Sequence, residues 1–186
     1  APGRLDLLGG VADYSGALVL ETPTRLTTTV LAEPADGLVV GPVRLAEDEV
    51  VKLAGLTYPE VRDVLVDAPR WTHYLVGVAL VLVRHGVIAP PAVELSVTSD
   101  LPTSVGVSSS AALEVAVALA LGFDGPPLAL AEACQRAEQR ASGVPSGIMD
   151  QLASAAGGDG HALLIDCRSL EVRPVAVPED VEIVVV

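Results

Sequence analysis

Residues 101–121, LPTSVGVSSSAALEVAVALAL, constrain the fold of this chain more than any other stretch. Ahead of them, residues 92–99 alternate apolar and polar positions, with Val93, Leu95 and Val97 on one side, the pattern of a half-buried strand. Residues 111–121 are rich in Ala and Leu, which favour helix, and Gly122 follows as a stop. Between strand and helix lies a loop of small residues, 103–110, in which Gly106 supplies backbone freedom. The first N–H groups of a helix have no partner within it and carry positive partial charge, so such a loop suits a phosphate. Ser108, Ser109 and Ser110 add three hydroxyls, available as donors or as a metal ligand. An ordinary capped helix after a tight loop accounts for the same residues. No Gly-Lys-Ser/Thr sequence occurs, which excludes a Walker-type phosphate loop at this site.

Composition bounds what the loop can serve. A chain of 186 residues forms one domain or slightly more, and 51% hydrophobic content supports a sizeable core. A net charge of −13 with a pI near 4.4 argues against nucleic acid and against an anionic membrane as partner. Cys134 and Cys167 provide neither a disulfide framework nor metal-ligand spacing, and are expected as buried reduced thiols. The longest apolar run, residues 74–83, is too short to span a bilayer. No signal peptide is visible, so the cytoplasm is the expected location. The chain opens without Met and stops inside the strand-like run 181–186, and the expectation is a piece of a longer protein, truncated at both ends.

The remaining elements follow in order. Residues 5–8 are apolar, Gly9-Gly10 breaks the chain, and residues 17–20 are strand-like. Residues 25–40 carry alternating β-branched positions and are expected as strands. Residues 46–66 are more polar and are read as surface connections with a short helix. Residues 71–84 and 128–141 read as helices, the second with Leu128, Ala131, Cys134 and Ala141 along one stripe. Residues 161–166 and 170–174 read as strands. Taken alone, Arg4 and Asp13 are turn residues and a surface ion pair, and Asp150 is a helix cap or surface charge.

The order of residues adds a resemblance. P-x-x-x-G-V-S-S-S-A-A at residues 102–112 resembles the second conserved motif of the GHMP kinases. G-R-x-x-L-x-G-x-x-x-D-Y-x-G at 3–16 resembles the opening signature of the galactokinase branch of that family. W-x-x-Y-x-x-G at 71–77, A-E-x-x-x-S-G-V-P-S-G-I-M-D-Q at 137–151 and G-H-A-L-L-I-D-C-R-S-L-E at 160–171 are similar to the same branch. The motifs stand in family order and cover nearly the whole chain. The fold implied is α+β, the GHMP-kinase N-terminal domain, a mixed sheet with helices on one side. Residues 1–186 would form the ATP- and sugar-binding domain, and the ferredoxin-like C-terminal domain is expected in the intact protein.

The resemblance also implies roles. Residues Val105, Gly106, Val107, Ser108, Ser109 and Ser110 would hold ATP, with Trp71 beside the adenine. Ser110 and Glu138 would hold Mg²⁺, which needs few protein ligands when phosphate oxygens and water fill its shell. Asp13 would accept hydrogen bonds from sugar hydroxyls, Arg4 would steady the transferred phosphoryl group, and Asp150 would be the catalytic carboxylate taking the sugar's proton. One departure stands out. Galactokinases usually carry Glu-His where this chain has Gly10 and Val11, and those side chains serve the C6 hydroxyl of the sugar. The run G-G-V-A-D-Y-S-G looks like the L-arabinokinase branch, whose substrate lacks the C6 hydroxymethyl group. The activity implied is an ATP-dependent sugar 1-kinase acting on galactose or L-arabinose. A non-catalytic sugar-binding or regulatory relative, or an inactive fragment, is the alternative.

Overall fold

A computed structural model of the chain describes residues 1–143, 145–158, 160–178, 180, 181 and 183, with residues 11 and 142 described by their backbone alone. The expected strand at 181–186 therefore falls mostly outside the described residues. Seven strands form one sheet, β1 (Pro2–Leu8), β2 (Leu18–Pro34), β3 (Leu38–Val40), β4 (Val43–Leu45), β5 (Val93–Ser99), β6 (His161–Asp166) and β7 (Glu171–Ala176). Their order is β4-β3-β5-β2-β6-β7, with β1 also paired to β2. The long strand β2 organises the sheet, pairing antiparallel with β6 through residues 18–21, with β1 through 20–27 and with β5 through 28–34. Among the described residues only β3 and β5 run parallel, which makes the sheet mixed.

The helices are α1 (Glu47–Gly55), α2 (Tyr58–Val64), α3 (Arg70–Arg84), α4 (Ser109–Ala120), α5 (Pro127–Ser142) and α6 (Met149–Ala156). The main core joins Leu38, Val40 and Leu95 of the sheet to buried residues of α3, α4 and α5. A second cluster packs Leu152 and Ala153 of α6 on Val19, Leu163 and Ile165. Val107, in the loop before α4, accepts the N–H of Arg4 on β1, and Ser154 of α6 donates to the carbonyl of Pro2 on the same strand. Among the described residues no helix is long and apolar enough to cross a membrane.

Four expectations change. Residues 46–66 form two helices, and α1 buries Val50, Leu53 and Ala54 in the core, because its polar residues cover only the outer face. Thr57 and Glu60 close a reciprocal cap at the start of α2. In α5 the buried stripe runs through Leu130, Ala131, Ala133, Cys134 and Ala137, while Leu128 lies exposed in the first turn. In β5 only Leu95 is buried, and Val97 faces an open cleft instead of a core. Cys134 is buried, whereas Cys167 is only half-buried, and both are free thiols.

Candidate active site

Arg4 is the centre of the site. It sits on β1, where its own N–H donates to the carbonyl of Val107 at 3.1 Å and so ties the strand to the loop before α4. Its side chain is 13% exposed, which removes the surface ion pair with Asp13 as an explanation. The partners are Asp150, with Arg4 Nε and Nη2 at 2.8 and 2.6 Å from Oδ1, the carbonyl of Gly106 at 2.8 Å, and Glu21, whose Oε2 lies 3.3 Å from Nε. A guanidinium held by carboxylates of two elements and a loop carbonyl has little freedom to turn.

Asp150 lies in the first turn of α6 and does not cap it. Its second oxygen accepts a hydrogen bond from Ser108 Oγ at 2.5 Å. Ser108 occupies the N-cap position of α4 in the left-handed region, with φ 53°, and its hydroxyl makes no cap bond. The hydroxyl that would satisfy the start of α4 is thus given to Asp150, which leaves the helix N-terminus open to another acceptor.

Arg4, Asp6, Gly10, Asp13, Glu138, Gly147 and Asp150 line a pocket of about 280 Å³. Asp13 comes from a 3-10 turn over Gly10–Ser15 and accepts the backbone N–H groups of Tyr14 and Met149. Burial raises its pKa, with Asp150 adding to the rise and Arg4 opposing it. Its carboxylate lies directly on Gly147, where a Cβ would stand 1.6 Å from Oδ2. Gly10 has φ +41°, so any side chain there is strained, and a Cβ would meet Asp6 Oδ2 at 2.8 Å. The side chain of Val11 lies outside the described residues.

A second cleft, of about 680 Å³, opens on the other side of the loop and is lined by Trp71, Tyr74, Val97, Ser104, Ser109 and Ser110 among others. Trp71 is 42% exposed at its lip, with the indole edge laid over Gly41 of the β3–β4 turn. Val105 is exposed, but Val107 turns inward onto Leu101 and Ala112, so the side chain of Val107 is not open to a ligand. Ser110 Oγ of this cleft donates to Glu138 Oε1 of the first pocket at 3.1 Å, which links the two. Cis ligands of an octahedral ion with bonds of 2.0–2.1 Å stand about 3 Å apart, so this hydroxyl–carboxylate pair fits Mg²⁺. Among the described residues no group of three or more His, Cys, Asp or Glu is placed to hold a metal, so phosphate oxygens and water would complete the shell.

Several residues behind the site escaped the sequence reading. Gln151 Nε2 donates to Glu138 Oε2 at 2.8 Å and to Glu114 Oε2 at 3.1 Å, which fixes the outer carboxylate from within the core. Glu114 is fully buried, and burial, with Glu138 nearby, holds its pKa well above the ordinary carboxylate range. Glu21 is also fully buried and its pKa is pushed up to about 8 by burial, against the opposing pull of Arg4. A lone acid in an otherwise apolar helix (Glu114), or one directly after an apolar run (Glu21, after residues 17–20), was the available signal.

The family model described as GHMP kinases N terminal domain matches residues 73–158. A galactokinase of Canis lupus familiaris is 40% identical over 188 residues, covering 96% of this chain and 46% of that protein. A galactokinase of Chloroflexus aggregans is 39% identical over 193 residues, covering all of this chain and 47% of its own. The chain thus spans about half the length of the curated relatives it matches. The crystal structure of Lactococcus lactis galactokinase complexed with galactose superposes with a TM-score of 0.79 at 28% identity, covering 96% of this chain and 46% of that one. Methanococcus jannaschii mevalonate kinase shares the fold, with a TM-score of 0.65 at 17% identity. Those matches account for the mixed sheet and the hydroxyl-rich loop before α4: this chain carries a GHMP-kinase N-terminal domain.

Proposed function

We propose that the intact protein transfers the terminal phosphoryl group of Mg-ATP to the anomeric hydroxyl of a free sugar, galactose or L-arabinose, with the pentose preferred. In this reading residues 1–186 are the ATP- and sugar-binding domain, working with a C-terminal domain. The Ser110–Glu138 contact carries the proposal, because it stands where the aromatic-lipped cleft meets the acidic pocket. An adenine fits beside Trp71, and the open start of α4 receives phosphate oxygens. A Mg²⁺ ion held at Ser110 and Glu138 would offset phosphate charge.

The pocket's carboxylates suit a polyol. Asp13 accepts sugar hydroxyls, and Asp150 takes the proton of the hydroxyl that attacks phosphorus. Ser108 and Arg4 hold Asp150 in one orientation, and Arg4 also steadies the transferring group. Pentose preference follows from Gly10, which lines the pocket without a side chain. A C6 hydroxyl there loses water without gaining the Glu and His partners usual in galactokinases, a cost of about 1–3 kcal/mol, or roughly ten- to a hundredfold.

The test is product analysis of the full-length protein with ATP and a panel of free sugars. The expected result is a sugar 1-phosphate, with kcat/KM higher for L-arabinose than for D-galactose. Preference for galactose would sink the pentose reading and leave the kinase standing. Sugar binding without turnover would instead favour a non-catalytic relative.

A further inference from the structure

We propose that Asp6 is a second sugar-reading carboxylate, specific to this pocket, and that the buried Glu21 behind it is its positioning residue. The inference rests on the sugar-binding reading above. Asp6 and Glu21 are directly opposite in the β1–β2 register, so their side chains project on the same face of the sheet. Asp6 lines the acidic pocket with Arg4, Asp13 and Asp150, and its Oδ2 fills the space that a side chain at residue 10 would take. A residue larger than glycine at that position would press on this carboxylate and crowd its approach to a ligand.

Glu21 is fully buried and neither of its carboxylate oxygens has a hydrogen-bond partner. The groups that face it are Arg4 and Asp6 from β1, Asp150 from α6 and Cys167 after β6. Two facing carboxylates, one of them out of water, disfavour double ionisation. A proton on Glu21, donated toward Asp6, resolves the conflict. It satisfies one orphaned oxygen, occupies one side of Asp6 and leaves the other side of that carboxylate directed at the pocket. Ionised Glu21 would do the opposite. It would repel Asp6 and compete with Asp150 for Arg4, whose Nε already lies 3.3 Å from Glu21 Oε2. The carboxyl of Glu21, held up at about 8, places that change in the alkaline range.

The experiment measures sugar binding to the full-length protein by calorimetry without nucleotide, and steady-state KM for sugar and ATP. The panel holds L-arabinose, D-galactose and their monodeoxy derivatives. Asp6→Asn should weaken the preferred sugar about ten- to a hundredfold while KM for ATP moves less than about twofold. One monodeoxy sugar should lose no further affinity in that variant, which identifies the hydroxyl that Asp6 reads. Wild-type sugar affinity should fall as pH rises through about 8. Glu21→Leu should lose affinity, and Glu21→Gln, which can still donate to Asp6, should recover most of that loss and remove the alkaline fall. Unaltered sugar affinity in Asp6→Asn, or Glu21 variants that change only the melting temperature, would overturn the inference while leaving sugar binding in place. A wild type that binds sugar without turnover overturns the kinase reading alone, and one that binds no sugar overturns both.

Discussion

Replacing Gly147 with Ala adds one carbon at the floor of the acidic pocket, and the consequences for sugar and nucleotide separate cleanly. Gly147 does not have a positive φ, so its backbone accepts Ala, and the lower freedom of the unfolded chain would by itself stabilise the protein by about 0.4–1 kcal/mol. Against that, the new Cβ would stand 1.6 Å from Asp13 Oδ2 and 2.3 Å from its Cγ. Ordinary contact begins at 3.4 Å, so the carboxylate must retreat by about 1.8 Å. That movement breaks the hydrogen bond it accepts from the N–H of Met149, at the start of α6. A hydrogen bond to a charged group contributes about 1.5–3 kcal/mol, so the displacement wins and net stability falls by about 1–2 kcal/mol. The same displacement takes the acceptor away from the sugar, and the expected loss of sugar affinity is about ten- to 150-fold. Nucleotide binding should not follow. Trp71, the single tryptophan, lines the other cleft, and its fluorescence should report an ATP affinity within about twofold of wild type. Sugar titrations by calorimetry on the full-length protein make the comparison. An unchanged sugar affinity would refute the placement of Asp13 as a sugar ligand, and a parallel loss of ATP would show that the two clefts are not independent.

Asp150→Asn can keep an oxygen toward Arg4 while Ser108 turns to accept from the amide, so the fold and sugar binding should survive. Turnover should fall about 10²–10⁴-fold with loss of the proton acceptor, and more than half of wild-type kcat would reject the assignment. Ser110→Ala should weaken Mg-ATP more than metal-free ADP, and equal losses in calorimetry would remove Ser110 from the metal site. Glu21, raised from 4.5 to about 8, binds in the folded chain a proton that the unfolded chain gives up. Its contribution to stability is therefore fully present below pH 4.5 and is lost as pH rises to about 8. Urea unfolding of wild type and Glu21→Gln across that window should show the decline in the first and a flatter profile in the second; identical profiles would mean that Glu21 is already ionised.

Local pattern was enough for much of the fold. Strand periodicity at 161–166 corresponds to β6 residue for residue, and the Ala- and Leu-rich run after the serine loop became α4, because backbone preference and burial agreed there. Residues 46–66 misled because charge density reports the exposed side of a helix and is silent on whether the other side meets a core. The candidate site divides in the same way. Arg4, Asp13, Glu138 and Asp150 were found from the order of residues in motifs, and the structure draws all four into one pocket although they come from β1, a 3-10 turn, α5 and α6. No spacing along the chain could have paired Arg4 with Asp150 across 146 positions, or set Ser110 of one cleft against Glu138 of the other. Glu21, Glu114 and Gln151 were passed over for the same reason. A carboxylate or amide becomes informative when water is removed from around it, and burial is a property of the packed chain. The sequence by itself determined the elements, the loop and the motif residues, since those depend on local backbone preference and order. The tertiary structure alone decided which carboxylates lose water, which face one another and which line a pocket.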